Sequence, residues 1–240
     1  MKKWRDNNKE HLSRWWTTNV NYRLKAIKDQ AKLKGYVWDA SMTNEVCRDM
    51  MTTPCFYCEF LSTETVNGID RMDNAKGYSK ENCVGCCGTC NFMKKSLDAH
   101  TFIERCIHIA ACHGEGSTFY PDAWPTTSPV SYASYRYRAT KKGLEFELSE
   151  GEYMVLTCMP CWYCKRGDPE NTSGIDRVDN AKGYVSGNMV PCCSECNHMR
   201  TALPVEEFMD KFVRISRRAE SLTIPDMPVC LRAITRRETE

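Results

Sequence analysis

A chain of 240 residues with 33 Lys and Arg against 31 Asp and Glu carries a formal net charge of +2, too little for bulk charge alone to define a partner. No apolar run approaches the roughly 20 residues of a membrane-spanning helix, and Met1-Lys2-Lys3-Trp4-Arg5-Asp6 lacks the apolar stretch of a secretory signal, so neither a membrane span nor export is expected. Sixteen cysteines in such a chain favour thiolate–metal sites over disulfides, in a reducing compartment such as the cytoplasm or nucleus, or within a virion.

Taken in order, residues 4–34 read as a helix, with Trp15, Trp16, Val20, Leu24, Ile27 and Ala31 at loose helical spacing and Gly35 as its stop. Residues 1–34 hold ten Lys and Arg against Asp6, Glu10 and Asp29, which makes this segment a basic arm. A short helix over 41–51 leads to Pro54 and a cysteine pair. After a central block comes an amphipathic helix from Leu97 to His113, with Phe102, Ile103, Cys106, Ile107 and Ile109 turned inward. Residues 114–131, with Gly114, Gly116, Pro121, Pro125 and Pro129, have the composition of a linker. The plan then repeats. Residues 132–143 form a second basic helix with Arg136, Arg138, Lys141, Lys142 and no acid, residues 149–157 a second short helix, and Val205 to Arg218 a second amphipathic helix through Phe208, Met209, Phe212, Val213 and Ile215. From Ser221 the tail, with Pro225 and Pro228, is irregular.

The repeat is strictest in the central block. Cys55-Phe56-Tyr57-Cys58, Gly68-Ile69-Asp70-Arg71 and Cys86-Cys87-Gly88-Thr89-Cys90-Asn91 are matched 106 positions on, without insertion or deletion, by Cys161-Trp162-Tyr163-Cys164, Gly174-Ile175-Asp176-Arg177 and Cys192-Cys193-Ser194-Glu195-Cys196-Asn197. Self-similarity at fixed spacing marks a duplicated unit. Each copy is small enough that a metal staple would help to hold it. Cys55-x2-Cys58 and Cys87-x2-Cys90 lie 28 residues apart, and Cys161, Cys164, Cys193 and Cys196 repeat that spacing. Four thiolates in two such pairs suit a closed tetrahedral Zn²⁺ site, so two structural zinc ions are expected rather than disulfides or free thiols. Cys86 and Cys192 sit one place too early and are left as spares. Cys106-x-His108-x3-Cys112-His113 has no counterpart in the second copy and reads as helix packing.

Between the zinc pairs, Gly68 to Arg71 and Gly174 to Arg177 read as a first strand. Asp73-Asn74-Ala75-Lys76-Gly77-Tyr78 has turn chemistry, and Asn82-Cys83-Val84 and Asn188-Met189-Val190 form the return. The last cysteine pair opens a helix, with Asn91 or Asn197 directly after it. The pattern C-x-Y-C … G-I-D-R-x-D-N-x-K-G-Y … C-x2-C-N-x-M-[KR] resembles the ββα-metal, or HNH, endonucleases, and most nearly a subgroup that carries Asp-Arg where Asp-His is usual, as in rare-cutting restriction enzymes. The resemblance implies an α+β chain of two tandem zinc-stapled ββα-metal modules, each with a preceding basic helix and a following amphipathic one. Domains of 1–113 and 132–218 are then expected, with a linker between them and a tail over 219–240. It also implies a catalytic Mg²⁺ or Mn²⁺ ion in each module, held by Asp70 and Asn91 or by Asp176 and Asn197, with Asn82 and Asn188 bracing the hairpin loop.

That chemistry would neutralise the leaving oxygen with the metal and deprotonate a water. Arg71 and Arg177 stand where the family's basic His is usual. Arginine cannot act as a base, but it can clamp a phosphate. Tyr57 and Tyr163, recurring inside the cysteine pairs, are the candidate bases, with packed aromatics as the plainer reading. Two functions are therefore expected in competition. One is a metal-dependent endonuclease that acts on double-stranded DNA as a single-chain pseudo-dimer. The other is a catalytically silent HNH-derived zinc protein with a structural or binding role among protein partners in a large assembly such as a viral particle.

Overall fold

The computed structural model describes residues 18–125, 130–167, 172–225, 227, 229 and 230. The first part of the basic arm (1–17), residues 126–129 of the expected linker and the end of the tail (231–240) lie outside the described residues. Described residues fall into two compact units. The first holds those up to Lys94, with Asp98–His100 and the segment Ser221–Pro228; the second holds Lys95–Leu97, Thr101–Glu220 and those that follow Pro228.

In the first unit, helix α1 (Val20–Leu33) begins where the Asn19 side chain accepts a hydrogen bond from the Tyr22 amide. An Asx cap of this kind satisfies an amide that the helix leaves orphaned, so the expected helix over 4–34 is interrupted at Asn19. Helix α2 (Asn44–Thr52) is capped in the same way by Thr43. Strands β1 (Gly68–Arg71) and β2 (Cys83–Cys86) form an antiparallel hairpin that pairs Asp70 with Val84, and helix α3 (Gly88–Lys94) follows directly. Leu24, Met42, Cys47, Met51, Ile69 and Cys83 make the small core beneath the hairpin.

Helix α4 (Ala99–Cys112) starts in the first unit, where the Ala99 amide donates to Met72 O, and from Thr101 onward belongs to the second. Its burial is broader than an amphipathic stripe, since Thr101, Arg105 and His108 are buried along with Phe102, Ile103, Cys106 and Ile109. The stretch with linker composition is not bare connection. A 3₁₀ turn at Pro121–Ala123 carries Trp124 into the second unit, where Arg105 stacks on its ring at 4.7 Å and donates to Ala123 O.

The rest of the second unit repeats the first. Helices α5 (Tyr132–Lys141) and α6 (Glu150–Cys158) precede strands β3 (Gly174–Arg177) and β4 (Met189–Cys192), which pair antiparallel in the same register. Helix α7 (Ser194–Arg200) and helix α8 (Val205–Ala219) complete it. Its core is built from rings: Tyr135, Leu148 and Ile175 pack with Tyr132, Phe146, Tyr153 and Tyr184. In both units a glycine of the hairpin turn lies against an incoming chain. A Cβ on Gly77 would collide with Val37 O, and one on Gly183 with Glu145 O, so only glycine lets the neighbouring Tyr78 and Tyr184 amides reach those carbonyls.

Candidate metal centres and the buried aspartates

The eight paired cysteines gather into two buried clusters, Cys55, Cys58, Cys87 and Cys90, and Cys161, Cys164, Cys193 and Cys196, with all four sulfurs of each within 4.8 Å of one another. Among the described residues every cysteine is free of disulfide bonds. Cys58 and Cys87 sulfurs stand 3.8 Å apart, and those of Cys164 and Cys193 stand 3.9 Å apart. A tetrahedral zinc with Zn–S bonds of about 2.3 Å has S–S edges of about 3.8 Å, so the donor set and its spacing suit structural zinc.

The thiols' electrostatics point the same way. Hydrogen bonds from Cys58, Cys86, Cys87 and Cys90 hold the Cys55 thiol far below its ordinary value, whereas their own hydrogen bonds to Cys55 and Cys58 push Cys87 and Cys90 up. Four thiolates this close repel one another; a dication is what lets all four ionise. Amides of Cys90 and Cys196 point at the Cys87 and Cys193 sulfurs at 3.4 Å. Each first pair closes a tight turn whose next residue, Glu59 (φ 56°) or Lys165 (φ 53°), is left-handed. Cys86 and Cys192 stand outside the clusters, buried, each with its thiol directed to the carbonyl of the following cysteine.

In the second unit helix α4 supplies polar caps for this turn. His108 Nε2 and the Cys112 thiol lie 3.0 and 3.3 Å from Cys164 O, and His113 Nε2 lies 2.9 Å from Tyr163 O. His108 Nδ1 accepts from the Tyr120 amide, so the ring is neutral with its proton on Nε2. Cys106, His108, Cys112 and His113 are thus packing and capping groups, not a further metal set. Beside them, Arg105 forms a fully buried ion pair at 2.9 Å with Glu195, which lies between two cysteines of the cluster.

Asp70 lies at the centre of its hairpin with 4% exposure, and both of its oxygens are engaged. Tyr57 hydroxyl donates to Oδ2 at 2.7 Å, and Lys94 Nζ reaches Oδ1 at 3.3 Å while also donating to Arg71 O at 2.9 Å. Burial pushes the Asp70 carboxyl up, and the Lys94 ammonium pulls it back. Asp176 repeats this at 5% exposure, with Tyr163 hydroxyl at 2.9 Å and Arg200 Nη1 at 2.6 Å, both on Oδ2. Both phenols are pushed up, first by burial and then by the neighbouring carboxylate. Lys94 and Arg200 are the residues that motif reading passed over. Their signal was a basic residue recurring at the 106-residue offset, three places after Asn91 and Asn197.

Arg71 and Arg177 turn away from these carboxylates. Nη1 of Arg71 donates to Asn74 O and Lys76 O at 3.1 and 2.6 Å, and Nη1 of Arg177 makes the same two bonds to Asn180 O and Lys182 O. Asn82 holds the same turn from the other side, accepting from the Asp73 amide and donating to Asp73 O and Gly77 O; Asn188 does likewise with Asp179 and Gly183. Asn91 is exposed and Asn197 half-buried, and among the described residues neither side chain hydrogen-bonds to the aspartate of its module.

No family model and no solved structure matches the chain. It is similar to the uncharacterised protein R423 of Acanthamoeba polyphaga mimivirus, 36% identical over 162 residues, which covers 67% of this chain and 31% of that viral protein. The chain therefore matches about a third of its relative's length. Among the described residues no helix is long and apolar enough to cross a membrane.

Proposed function

We propose that the chain is a nucleic-acid-binding protein of two zinc-stapled, HNH-derived modules in which the site for a catalytic ion is closed. One observation carries this reading. The aspartate that would hold the ion is buried in each module and already paired with a buried cation, Lys94 or Arg200. A Mg²⁺ or Mn²⁺ ion that works on a phosphodiester needs an anionic oxygen facing water, with coordination places left for phosphate and water. A resident ammonium or guanidinium supplies the positive charge instead. The exchange of Lys for Arg between copies keeps that charge while changing the side chain, as a structural requirement would. Tyr57 and Tyr163 are poor bases near neutral pH for the same reason, since burial and the adjacent carboxylate hold their protons on.

Binding is supported by the exposed basic faces beside each core: Lys25, Lys32 and Lys34 at helix α1, and Arg136, Arg138, Lys141 and Lys142 at helix α5. Exposed cations of this kind track a phosphate backbone and make affinity fall steeply with salt. The mimivirus relative is consistent with a setting in an infected cell or a virus particle.

Metal-dependent hydrolysis of DNA is the second reading, and one observation favours it: Tyr, Asp and Arg keep the same arrangement in both copies, with Tyr–Asp distances of 2.7 and 2.9 Å. Supercoiled plasmid with Mg²⁺ or Mn²⁺ separates the two. The closed-site reading expects retarded, salt-sensitive but uncut plasmid. Open or linear product from the wild type overturns it, and Asp70→Ala and Asp176→Ala would then report whether each module cuts one strand.

A further inference from the structure

The two hairpin arginines make the same bonds to their turns but face different surroundings. In the first module Tyr36 lies flat on the Arg71 guanidinium, 3.7 Å from ring centroid to Cζ, with Tyr78 at 5.3 Å on another side. Arg71 is left 8% exposed. In the second module the residue equivalent to Tyr36 is Leu144: the Tyr36 amide bonds to Ala31 O, and the Leu144 amide bonds to Ala139 O. Leucine provides no ring to cover the cation, so Arg177 keeps Tyr184 at 5.4 Å and is half-buried, where Arg71 is buried.

A second difference adds charge at that opening. Gln30 of α1 and Arg138 of α5 occupy the same place, each accepting at its carbonyl the amide of the residue that ends the helix, Lys34 or Lys142. Arg138 is exposed, one turn from Tyr135, whose ring meets that of Tyr184 at 5.5 Å. Two of the acids nearby are engaged, Asp176 by Arg200 and Asp179 by Lys182 at 3.7 Å, and the Glu145 side chain is exposed. Arg177 uses only Nη1 on the turn, so the N–H groups of Nε and Nη2 remain for the Tyr184 hydroxyl and for an incoming anion. Because two carbonyls hold the guanidinium in place, little side-chain freedom is lost when an anion binds.

We propose that the second module carries an anion site, made by Arg177 and Arg138 beside the Tyr184 hydroxyl, that takes one phosphate of a nucleic-acid backbone, and that the first module has no such site. A planar fork and a second guanidinium suit the paired oxygens of a phosphodiester, and charge-assisted bonds of this kind are the strong ones. This inference deepens the nucleic-acid-binding reading and rests on it for the identity of the ligand, though not for the existence of the site.

The test uses the full zinc-loaded chain with two probes. Anisotropy of a labelled duplex at 50 mM and higher salt should show Arg138→Gln and Leu144→Tyr binding roughly tenfold more weakly, with a salt slope shallower by about one. Both substitutions install what the first module already has, so the fold tolerates them. Tyr36→Leu with Gln30→Arg should open the first module and steepen the slope. Inorganic phosphate, titrated while the Arg177 Nε–H resonance is followed, should shift that signal in the wild type and not in Arg138→Gln. If phosphate shifts Arg177 but no duplex binds at low salt, the nucleic-acid reading falls and the anion site stands. If phosphate leaves Arg177 unmoved, or Leu144→Tyr and Arg138→Gln bind duplex like the wild type, the site is overturned.

Discussion

The two modules solve one packing problem with different side chains. Each must neutralise a carboxylate buried at the centre of its hairpin and satisfy the carbonyls just beyond it. In the first, Lys94 takes Asp70 and Arg71 O, and the backbone amide of Ala99, opening helix α4, takes Met72 O. In the second, Arg200 does all three jobs: Nη1 reaches Asp176 and Arg177 O, and Nη2 reaches Val178 O at 2.6 Å. An ammonium has one nitrogen and a guanidinium a fork, so the Arg copy holds a carbonyl that the Lys copy leaves to the backbone. The cores diverge as well. Where the first has Cys47 and Cys83, the second has Tyr153 and Met189, and its rings pack edge to face. What stays constant between the copies is the metal cluster, the buried charge pair and the turn; what varies is whatever fills the space around them.

The largest test of this equivalence is metal removal from one module at a time. Cys58→Ser and Cys164→Ser should each lower bound zinc from two ions per chain to one and unfold their own unit, since structural zinc supplies about 10–16 kcal/mol to such domains. Elemental analysis with amide exchange reads both effects. A variant that loses both ions would show that the modules do not fold independently.

Next in size are the buried cations. Lys94→Met and Arg200→Met each strand a carboxylate inside the protein, at a cost of about 3–5 kcal/mol. The Arg200 variant should lie at the upper end, because Arg177 O and Val178 O lose partners too. Protection of the β1–β2 and β3–β4 amides is the measurement, and adding Asp70→Asn to Lys94→Met should recover part of the loss. Equal, small effects would mean that both pairs are open to water.

A smaller difference should appear with pH. Burial lowers the His108 and His113 rings from their ordinary 6.5, so folded protein resists a proton that the unfolded chain accepts. Their contribution is therefore present above about pH 6.5 and declines as pH falls below it. Thiolate protonation weakens both zinc sites alike, so it is the second unit that should lose extra stability between about pH 6.5 and 5. His113→Gln should narrow that gap; a gap of unchanged size would assign it elsewhere.

The smallest effect concerns the left-handed residues after each first cysteine pair. Glu59→Gly and Lys165→Gly relieve a strained backbone but loosen the unfolded chain, so each should stabilise by less than about 1 kcal/mol, and by the same amount. Thermal unfolding of the zinc-loaded protein would show it, and clear destabilisation of either variant would mean that its side chain does more than occupy the turn.

Much of this architecture could be read from local spacing. The 106-residue offset announced two copies, the x2 cysteine pairs placed the sulfurs, and the Asp-Asn-Ala-Lys-Gly-Tyr segment specified the hairpin turn, because each depends on geometry over a few residues. Asn19 was legible in principle too, since a capping side chain acts within its own turn, but a continuous apolar spacing outweighed it. Burial was not legible. Lys94 is 24 residues from Asp70 and Tyr36 is 35 from Arg71, and only the packing of a helix and an incoming loop against the hairpin brings them together. The same holds for helix α4, whose sequence reads as the end of the first module while its buried residues from Thr101 onward belong to the second unit. Pattern specifies which face of a segment is apolar, but which neighbour covers that face, and whether a carboxylate meets water or an ammonium, is decided by the tertiary fold.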